Sequence, residues 1–375
     1  MLLWLIVKNK WRKMNVFKKP GKRKEMKKRF SVLLLCMMLV LSTLTACGKN
    51  NTEGVSTSET VTENTAASET TASSTEASMD VAEDPNYLHL KDPAGNEILV
   101  PVEVNSIVSM APSTTRVLLD LGLSDKIIAC DTNSAMSYGS ELKKDIPQFD
   151  MMNPDNEAIV NLSPDIVFVS GMSASKGNDP FAPVRTAKIC IADIPTPSTI
   201  DGIYKDMNFI GICVGKQDEA NKLSKELKDV VSKVEEIAVT IPEEERKNVL
   251  YEISTPTADY PDIYSAAKDT YIDEIIKLIG AKNIAHDNDT PWPALSEEAC
   301  IAADPDVIIS GDTYTPDPVS IILSTSGWEN VKAVKNKAVY VVNGDVLNQP
   351  NHHVADSIIE IAFLVYPDYY GSLTK

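Results

Sequence analysis

From Tyr87 onward, hydrophobic and polar positions follow two alternating patterns. YLHLKDPAGNEILVPV alternates with period two on both sides of Asp92 to Asn96, which predicts a hairpin. Short apolar runs then alternate with amphipathic segments such as TTRVLLDLGL and NEAIVNL, which favours a parallel sheet covered by helices on both faces. The runs predicted as strands are SIVSM (106–110), KIIACD (126–131), DIVFVS (165–170) and KICIAD (188–193).

The second half of the chain repeats this alternation of strands and helices, and one segment repeats similar residues as well. NEAIVNLSPDIVFVSG at 156–171 parallels SEEACIAADPDVIISG at 296–311, and both Glu-Ala (157–158 and 298–299) and Pro-Asp (164–165 and 305–306) recur at an offset of 141 positions. The repeat predicts two related α/β lobes, although Pro-Asp before a Val/Ile run is also common punctuation in unrelated βαβ units. The other elements predicted in this half are strands NVLYEIS (248–254), KNIAHD (282–287) and KAVYVVN (337–343), and helix YIDEIIKLIG (271–280).

Residues 198–242 carry a helical pattern rather than the composition of a flexible linker. The pattern breaks at Gly215, restarts at Gln217 and stops at Ile241-Pro242. A helix of roughly 24 residues would span about 36 Å. We therefore predict an α/β protein with two doubly wound lobes, 86–197 and 243–375, joined by a long rigid helix within 198–242.

The first 46 residues have the pattern of a secretory leader. MKKRFSVLLLCMMLVLSTLTACGKN, from Met26, has a basic start and an apolar run from Val32 to Leu41 that is too short to span a membrane comfortably. Residues 1–25 add nothing such a leader needs, so we expect Met26 to be the true start. Leu44-Thr45-Ala46-Cys47 resembles a bacterial lipobox, which predicts lipidation of Cys47; the alternative is an ordinary signal anchor with a chance cysteine.

Composition separates a tether from the folded part. Residues 47–85 are dominated by Ser, Thr, Glu and Ala, which cannot repay the entropy of ordering, so we predict a disordered tether. The chain has a net charge of −17, and residues 1–46 hold 12 of its 36 basic residues but only one acid. The remainder is therefore far more acidic, which argues against a nucleic-acid partner.

Four cysteines lie beyond Cys47, in apolar stretches without metal-ligand spacing. They are Cys130, Cys190, Cys213 and Cys300. This pattern favours small buried hydrophobic residues, and a disulfide stays open as an alternative for an exported chain.

The order of these motifs resembles a known family. Lipobox, acidic tether, IVSMAPSTTRVLLDLGLSDKIIA, a long interlobe helix and GWENVKAVKNKAVYVVNGD resemble the helical-backbone (class III) substrate-binding lipoproteins of bacterial ABC importers, over about residues 87–370. The resemblance implies an exported, lipid-anchored monomer that carries an iron-siderophore or haem to a permease dimer and its ATPase, with no cofactor of its own. A corrinoid such as cobalamin is the alternative ligand.

The same resemblance, together with the rule that open α/β sheets bind ligands at the carboxyl ends of their strands, selects pocket candidates. Trp292 stands between two prolines in PWPALSEEACIAADPD, a segment similar to that of cobalamin-binding members, so it is expected to cover an apolar ligand face; packing on its own lobe is the alternative. The expected ligand-contacting residues are Ser113, Thr114, Tyr138, Met172, Tyr260, Trp292, Tyr314, His352 and His353.

His352 and His353 could touch the metal of a chelate or be structural. Adjacent residues on a helix point roughly 100° apart, so we do not expect both to bind one ion, and no directly bound metal is predicted. Members of the family usually carry Pro-Arg near this position, so NQPNHH departs from the pattern.

Glu157 and Glu298 occupy equivalent places in the repeat. The resemblance implies that the pair docks onto arginines of a two-fold permease, and helix capping is the plainer alternative. An enzyme is the remote alternative, since Gly-x-Ser-x-Gly, phosphate-loop and His-Glu-x-x-His motifs do not occur; a surface adhesin is another.

Overall fold

A computed structural model describes residues 84–174, 177–257 and 261–373, all within one compact unit that spans 79–375. The predicted leader, Cys47, nearly all of the predicted tether and Tyr260 lie outside the described residues. No helix in the described part of the chain combines the length and apolar character needed to cross a membrane.

The chain enters through the predicted hairpin and then forms the first lobe. Strands β1 (Tyr87–Lys91) and β2 (Glu97–Pro101) pair antiparallel. A five-stranded parallel sheet follows, in the order β5-β4-β3-β6-β7. Its strands are β3 (Ile107–Met110), β4 (Ile127–Asp131), β5 (Gln148–Phe149), β6 (Ile166–Ser170) and β7 (Ile191–Ile194). Its helices are α1 (Pro112–Asp120), α2 (Thr132–Tyr138), α3 (Asn156–Leu162) and α4 (Ala182–Thr186).

The second lobe repeats this arrangement with a four-stranded parallel sheet in the order β10-β8-β12-β13. A short antiparallel pair, β9 with β11, lies beside it. The strands are β8 (Asn248–Glu252), β9 (Ile263–Tyr264), β10 (Lys282–Asn283), β11 (Ala294–Leu295), β12 (Val307–Ser310) and β13 (Val339–Val341). The helices that follow the interlobe segment are α7 (Tyr271–Leu278), α8 (Glu297–Ala303), α9 (Pro318–Leu323), α10 (Lys332–Lys335), α11 (Gly344–Leu347), α12 (Val354–Val365) and α13 (Pro367–Tyr370).

Side chains of the central strands enter two different cores, which is the expected result of alternation in a sheet covered on both faces. In β12, Val307 and Ile309 join one buried cluster while Ile308 joins another. In β3, Ile107 and Val108 divide in the same way. One of these clusters contains residues of both lobes. The prediction of two doubly wound lobes is therefore confirmed.

The interlobe connection consists of two helices, α5 (Ile200–Cys213) and α6 (Gln217–Ala238), packed against each other. The chain reverses at Gly215, whose φ of +68° lies in the left-handed region that favours glycine. The Ser224 hydroxyl donates to Asn208 Oδ1 across the pair at 3.2 Å. The predicted break at Gly215 and restart at Gln217 are found, and the predicted long helix is α6. The turn at Gly215 folds α5 back along α6, so the connection is a helical hairpin.

The sequence repeat has a structural counterpart in how each lobe closes its helix and starts its central strand. α3 and α8 both end on a left-handed residue, Ser163 (φ 48°) and Asp304 (φ 46°). Asp165 Oδ2 then accepts hydrogen bonds from the backbone N–H groups of Asn105 and Ser106. Asp306 Oδ2 accepts one from the backbone of Asn248. The two Pro-Asp segments therefore have the same structural role: in each lobe the aspartate accepts backbone hydrogen bonds at the start of the neighbouring parallel strand.

Candidate functional site

A buried polar network fixes the carboxyl-end loops of the first lobe. Ser109 Oγ lies 2.7 Å from Thr115 Oγ1, which lies 2.8 Å from Ser134 Oγ. Ser134 also donates to the side chain of Asp131, the N-cap of α2, and Asp131 accepts from the backbone of Asn133. Because strand β3 and the first turns of α1 and α2 share one network, the loops between them are held in place.

Two predicted contacts lie in the first turn of α1. Ser113 is partly exposed, whereas Thr114 is only 3% exposed and packs inside the lobe. Thr114 therefore has no face open to a ligand, and we remove it from the expected contacts. Its position follows from the helical period, which turns it toward the core one residue after Ser113.

Tyr138 and Gln349 join the two lobes. Tyr138 is the last residue of α2, and its hydroxyl donates to Gln349 Oε1 in the segment after β13. The Arg116 guanidinium carbon lies 5.1 Å from the centre of the Tyr138 ring. Desolvation raises the pKa of Tyr138 to about 12, so its hydroxyl stays protonated and remains a donor at neutral pH. Both residues follow the carboxyl ends of parallel strands, which is where such folds bind ligands.

The loop after β12 is held to the loop after β8. Asp312 accepts backbone hydrogen bonds from Tyr314 at 2.9 Å and from Thr255 at 2.9 Å. The Tyr314 ring is 65% exposed, and its hydroxyl donates to Asp345 Oδ1 at 3.1 Å. Tyr314 therefore stands outward on an ordered loop at the carboxyl edge of the second sheet.

Trp292 is presented to solvent by a fixed backbone. The carbonyls of its neighbours Pro291 and Pro293 accept hydrogen bonds from the backbone N–H groups of Ala267 (2.8 Å) and Ser265 (3.0 Å). The indole is 43% exposed. Exposure alternates from Trp292 through β11, and Tyr264, which pairs with Ala294, is exposed too. Trp292 and Tyr264 thus share the outward face of this small sheet.

Large apolar side chains are exposed on the carboxyl-end segments of both lobes. Exposed large apolar side chains at the ligand-binding edge of an α/β sheet are candidate contact residues. They are Met136 and Met172 in the first lobe, and Tyr264, Trp292 and Tyr314 in the second. Met172, Trp292 and Tyr314 belong to the contacts expected from the sequence.

The histidine pair meets an acid of the other lobe. Nε2 of His352 and Nε2 of His353 lie 3.1 Å and 3.0 Å from Oδ2 of Asp120, the last residue of α1. The expectation that the two rings diverge was wrong, because both residues precede α12, which begins at Val354, and are not held to helical spacing. Desolvation of Asp120 raises its pKa, but hydrogen bonds from both histidines and Arg116 outweigh it and hold the pKa well below its usual range.

All three arginines in the described part of the chain are paired with carboxylates. Arg116 binds Asp120 and Glu141, and Arg185 binds Asp179 and Asp193. Arg246 binds Glu243. These guanidinium groups are therefore committed to ion pairs within the protein.

Glu157 and Glu298 hold matching positions. Each is the second residue of a seven-residue helix, capped by Asp155 in α3 and Ser296 in α8, and each is exposed. Both helices run into a parallel strand, so their N-termini lie at the carboxyl edge of each sheet.

The residues immediately before these two glutamates turn inward instead. Asn156 Nδ2 donates to the Pro180 carbonyl at 2.9 Å, and Glu297 Oε1 accepts from Trp328 Nε1 at 2.7 Å. Within the two matching dipeptides, Asn156-Glu157 and Glu297-Glu298, the second residue is therefore the one whose carboxylate faces solvent.

The four cysteines are free thiols, and three of them, Cys130, Cys213 and Cys300, are buried, while Cys190 is partly exposed. The interpretation as packing residues is therefore confirmed for the buried three. Burial raises the pKa of the Cys130 and Cys300 thiols to about 12.

Comparison with known proteins identifies the family to which this fold belongs. The model of the periplasmic binding protein family matches residues 107–346. The uncharacterized ABC transporter substrate-binding lipoprotein YvrC of Bacillus subtilis is 31% identical over 74% of this chain and 85% of its own length. A cobalamin-binding protein of Halobacterium salinarum is 25% identical over 72% of each chain.

A solved structure agrees with this assignment. It is described as a possible iron-binding (periplasmic solute-binding) protein from Staphylococcus epidermidis, and it superposes with a TM-score of 0.60 at 25% identity over 70% of this chain and 99% of the other. The chain belongs to the periplasmic binding protein family and is a substrate-binding protein of an ABC importer. Such proteins capture a small molecule outside the cytoplasm for a permease and its ATPase and are not enzymes, so the binding-protein interpretation is confirmed over the enzyme alternative.

Sequence reasoning did not single out Asp120, Met136, Tyr264 or Gln349. Met136 and Tyr264 carry a usable signal, since each is a large apolar residue in a segment that follows a predicted strand. Asp120 and Gln349 have no such local sequence signal, because their partners, His353 and Tyr138, lie 233 and 211 positions away along the chain.

Proposed function

We propose that this protein captures a metal chelate, an iron-siderophore or haem, between its two lobes and delivers it to an ABC permease. The exposed apolar and aromatic side chains on the carboxyl-end segments of both sheets carry the proposal. A chelate presents large flat or apolar faces, which Met and aromatic side chains cover well. The expected contacts are Ser113, Tyr138, Met172, Tyr260, Trp292, Tyr314, His352 and His353, and Met136 and Tyr264 join them.

The pairing of the arginines with carboxylates of the protein favours a chelate of low negative charge. Catecholate siderophores are strongly anionic, and all three guanidinium groups in the described residues are already paired. A hydroxamate siderophore or haem, with less charge to neutralise, fits these loops better.

A corrinoid is the second candidate, and a specific observation supports it. Trp292 projects from a clamped Pro-Trp-Pro backbone, and the Halobacterium relative is named a cobalamin-binding protein. A rigidly presented indole would stack on a corrin face as readily as on a haem.

Quenching of Trp292 fluorescence tests the proposal. Purified protein is titrated with a ferric hydroxamate, haem and cyanocobalamin, beside a Trp292→Phe variant in which the buried Trp328 remains as the emitter. Saturable quenching by one chelate, much reduced in the variant, is expected. Unchanged emission with every chelate would remove the proposal.

We further propose that Cys47 carries a lipid after removal of residues 1–46, so that the protein acts as a monomer tethered to the outer face of the membrane. The lipobox-like sequence before Cys47 and the lipoprotein name of the Bacillus relative support this. Mass spectrometry of the mature N-terminus tests it: a diacylglyceryl cysteine is expected, and a protein released intact despite Cys47 would contradict the anchor.

Docking through Glu157 and Glu298 completes the proposal. One exposed carboxylate from each lobe, in matching positions, suits a permease with two-fold symmetry.

A further inference from the structure

Three metal-binding side chains from the two lobes converge on one point. The possible ligand atoms, a carboxylate oxygen of Asp120 and a ring nitrogen each of His352 and His353, all lie within 4.8 Å of one another. The two imidazole rings are stacked at an interplanar angle of 38°, with their centroids 4.3 Å apart. The His352 residue is 8% exposed, while the side chains of Asp120 and His353 are 22% and 39% exposed, so this point lies at the edge of the protein interior.

Hydrogen bonding alone crowds the shared oxygen. Oδ2 of Asp120 has both histidine Nε2 atoms within 3.1 Å and also accepts from Arg116 Nε at 2.8 Å. A carboxylate oxygen offers about two lone-pair directions, fewer than the three nitrogens that surround it. A cation between the oxygen and the two imidazole lone pairs resolves this crowding, because all three then act as ligands.

The surrounding charges suit a divalent cation. Arg116 binds both Asp120 and Glu141, so with neutral imidazoles these three charged groups sum to one negative charge. Asp356 adds a further carboxylate, with Oδ2 3.7 Å from His353 Nδ1. Arg116 Nη2 also holds the second oxygen of Asp120 at 2.6 Å, which is the supporting contact that orients a metal-binding carboxylate.

We propose that Asp120, His352 and His353 bind a first-row divalent transition metal ion of the zinc class directly, as a bridge between the lobes. Two imidazoles and one carboxylate are a common zinc ligand set, with a fourth position left to water or to a donor atom of the solute. Because Asp120 ends α1 of the first lobe and the histidines precede α12 of the second, the ion ties the lobes together. The inference goes beyond chelate capture, since the protein itself supplies the ligands.

The test is a titration of chelator-stripped protein with Zn²⁺ and Co²⁺, read by competition with a chromophoric chelator. One ion per chain is expected, together with a raised Tm and a visible Co²⁺ spectrum typical of low coordination number. Asp120→Asn and His353→Gln should each weaken binding by about 100-fold or more. His89→Gln is the matched control, because His89 is exposed on β1 in the entry hairpin, and it should leave the affinity unchanged.

Two results would overturn the inference: wild-type protein that fails to bind a stoichiometric ion, or binding that survives both substitutions. His353 is 39% exposed, so His353→Gln should keep the native circular dichroism even where Asp120→Asn does not. A chelate titration of wild-type protein with and without Zn²⁺ separates the two proposals, because it needs no substitution at the histidines, which are also expected chelate contacts. Chelate binding by protein that fails to bind a stoichiometric Zn²⁺ would overturn only the metal site.

Discussion

The Tyr138 hydroxyl donates a hydrogen bond to Gln349 and thereby joins the segment after β4 of one lobe to the segment after β13 of the other. The contact places the carboxyl-end loops of the two sheets side by side. Exposed Met and aromatic side chains lie on the same set of loops. A solute held there would touch both lobes, which is the core of the proposed function.

Replacement of Glu157 and Glu298 by alanine should abolish transport in reconstituted vesicles while leaving solute affinity unchanged. The two carboxylates are exposed and sit on matching helices, so their loss removes docking contacts without disturbing the core. High salt should reproduce the defect, because exposed ion pairs are screened.

The matched control for docking changes Glu226 and Glu236 to alanine, since both are exposed on the interlobe helix α6. This variant should transport normally. Normal uptake by the Glu157/Glu298 variant at physiological salt would leave helix capping as the role of the pair.

Gly211→Ala should destabilise the interlobe hairpin. A Cβ at Gly211 would lie 2.5 Å from the Ala220 methyl and 3.1 Å from the Lys216 carbonyl oxygen. Overpacking of this kind costs about 1–3 kcal/mol, which exceeds the helix-propensity gain of about 0.5–1 kcal/mol. Urea unfolding measures the difference.

Ala220→Gly supplies the second arm of a double-mutant cycle. It removes the methyl group that Gly211→Ala meets, so the double variant should recover part of the lost stability. Strictly additive effects would mean that α5 and α6 do not pack as closely as described.

Glu252 should make the folded protein less stable as the pH rises. Burial raises the pKa of Glu252 to about 8, and the residue lines a cavity of about 290 Å³ with one carboxyl oxygen unpartnered. Between the unfolded pKa and about pH 8, the folded state holds a proton that the unfolded state has lost. The stabilisation from the protonated group is present below this range and disappears as the pH rises through it.

Glu252→Gln should therefore flatten the fall in stability from pH 5 to 8 and raise the free energy of unfolding at pH 8 by up to about 4 kcal/mol. Thermal unfolding across this range is the measurement. Some slope should remain from Asp206, whose pKa desolvation raises to about 7. Parallel curves for the wild type and the variant would show that Glu252 is ionised in the folded protein.

Much of the fold could be predicted from local patterns. The strands, the two lobes and the repeated Pro-Asp segment were read from periodicity, and Asp165 and Asp306 proved to have equivalent backbone partners. The helical pattern also predicts the break at Gly215, but it does not record that the left-handed turn there folds α5 onto α6. KNIAHD forms only the two-residue strand β10, since the chain turns immediately after Asn283.

The candidate site was only partly predictable. Trp292 between two prolines has a local signature, and its exposure follows from the clamped backbone. The contacts of Tyr138 with Gln349 and of Asp120 with His353 depend on how the two lobes pack against each other. Hydrophobic periodicity predicts helices and strands but not the distance between residues of different lobes. The burial of Thr114 likewise depends on the tertiary packing of α1.

Isothermal titration of one chelate into wild type, Met172→Ala, Trp292→Ala and the exposed hairpin control Leu99→Ala tests the central claim, capture between the lobes, most directly. The account predicts one chelate per chain, an affinity weakened about tenfold or more by the change in either lobe, and no effect of Leu99→Ala, because stacking and apolar contacts each contribute about 1–3 kcal/mol. Absence of binding for a hydroxamate, haem and cobalamin alike, or sensitivity confined to one lobe, would contradict it.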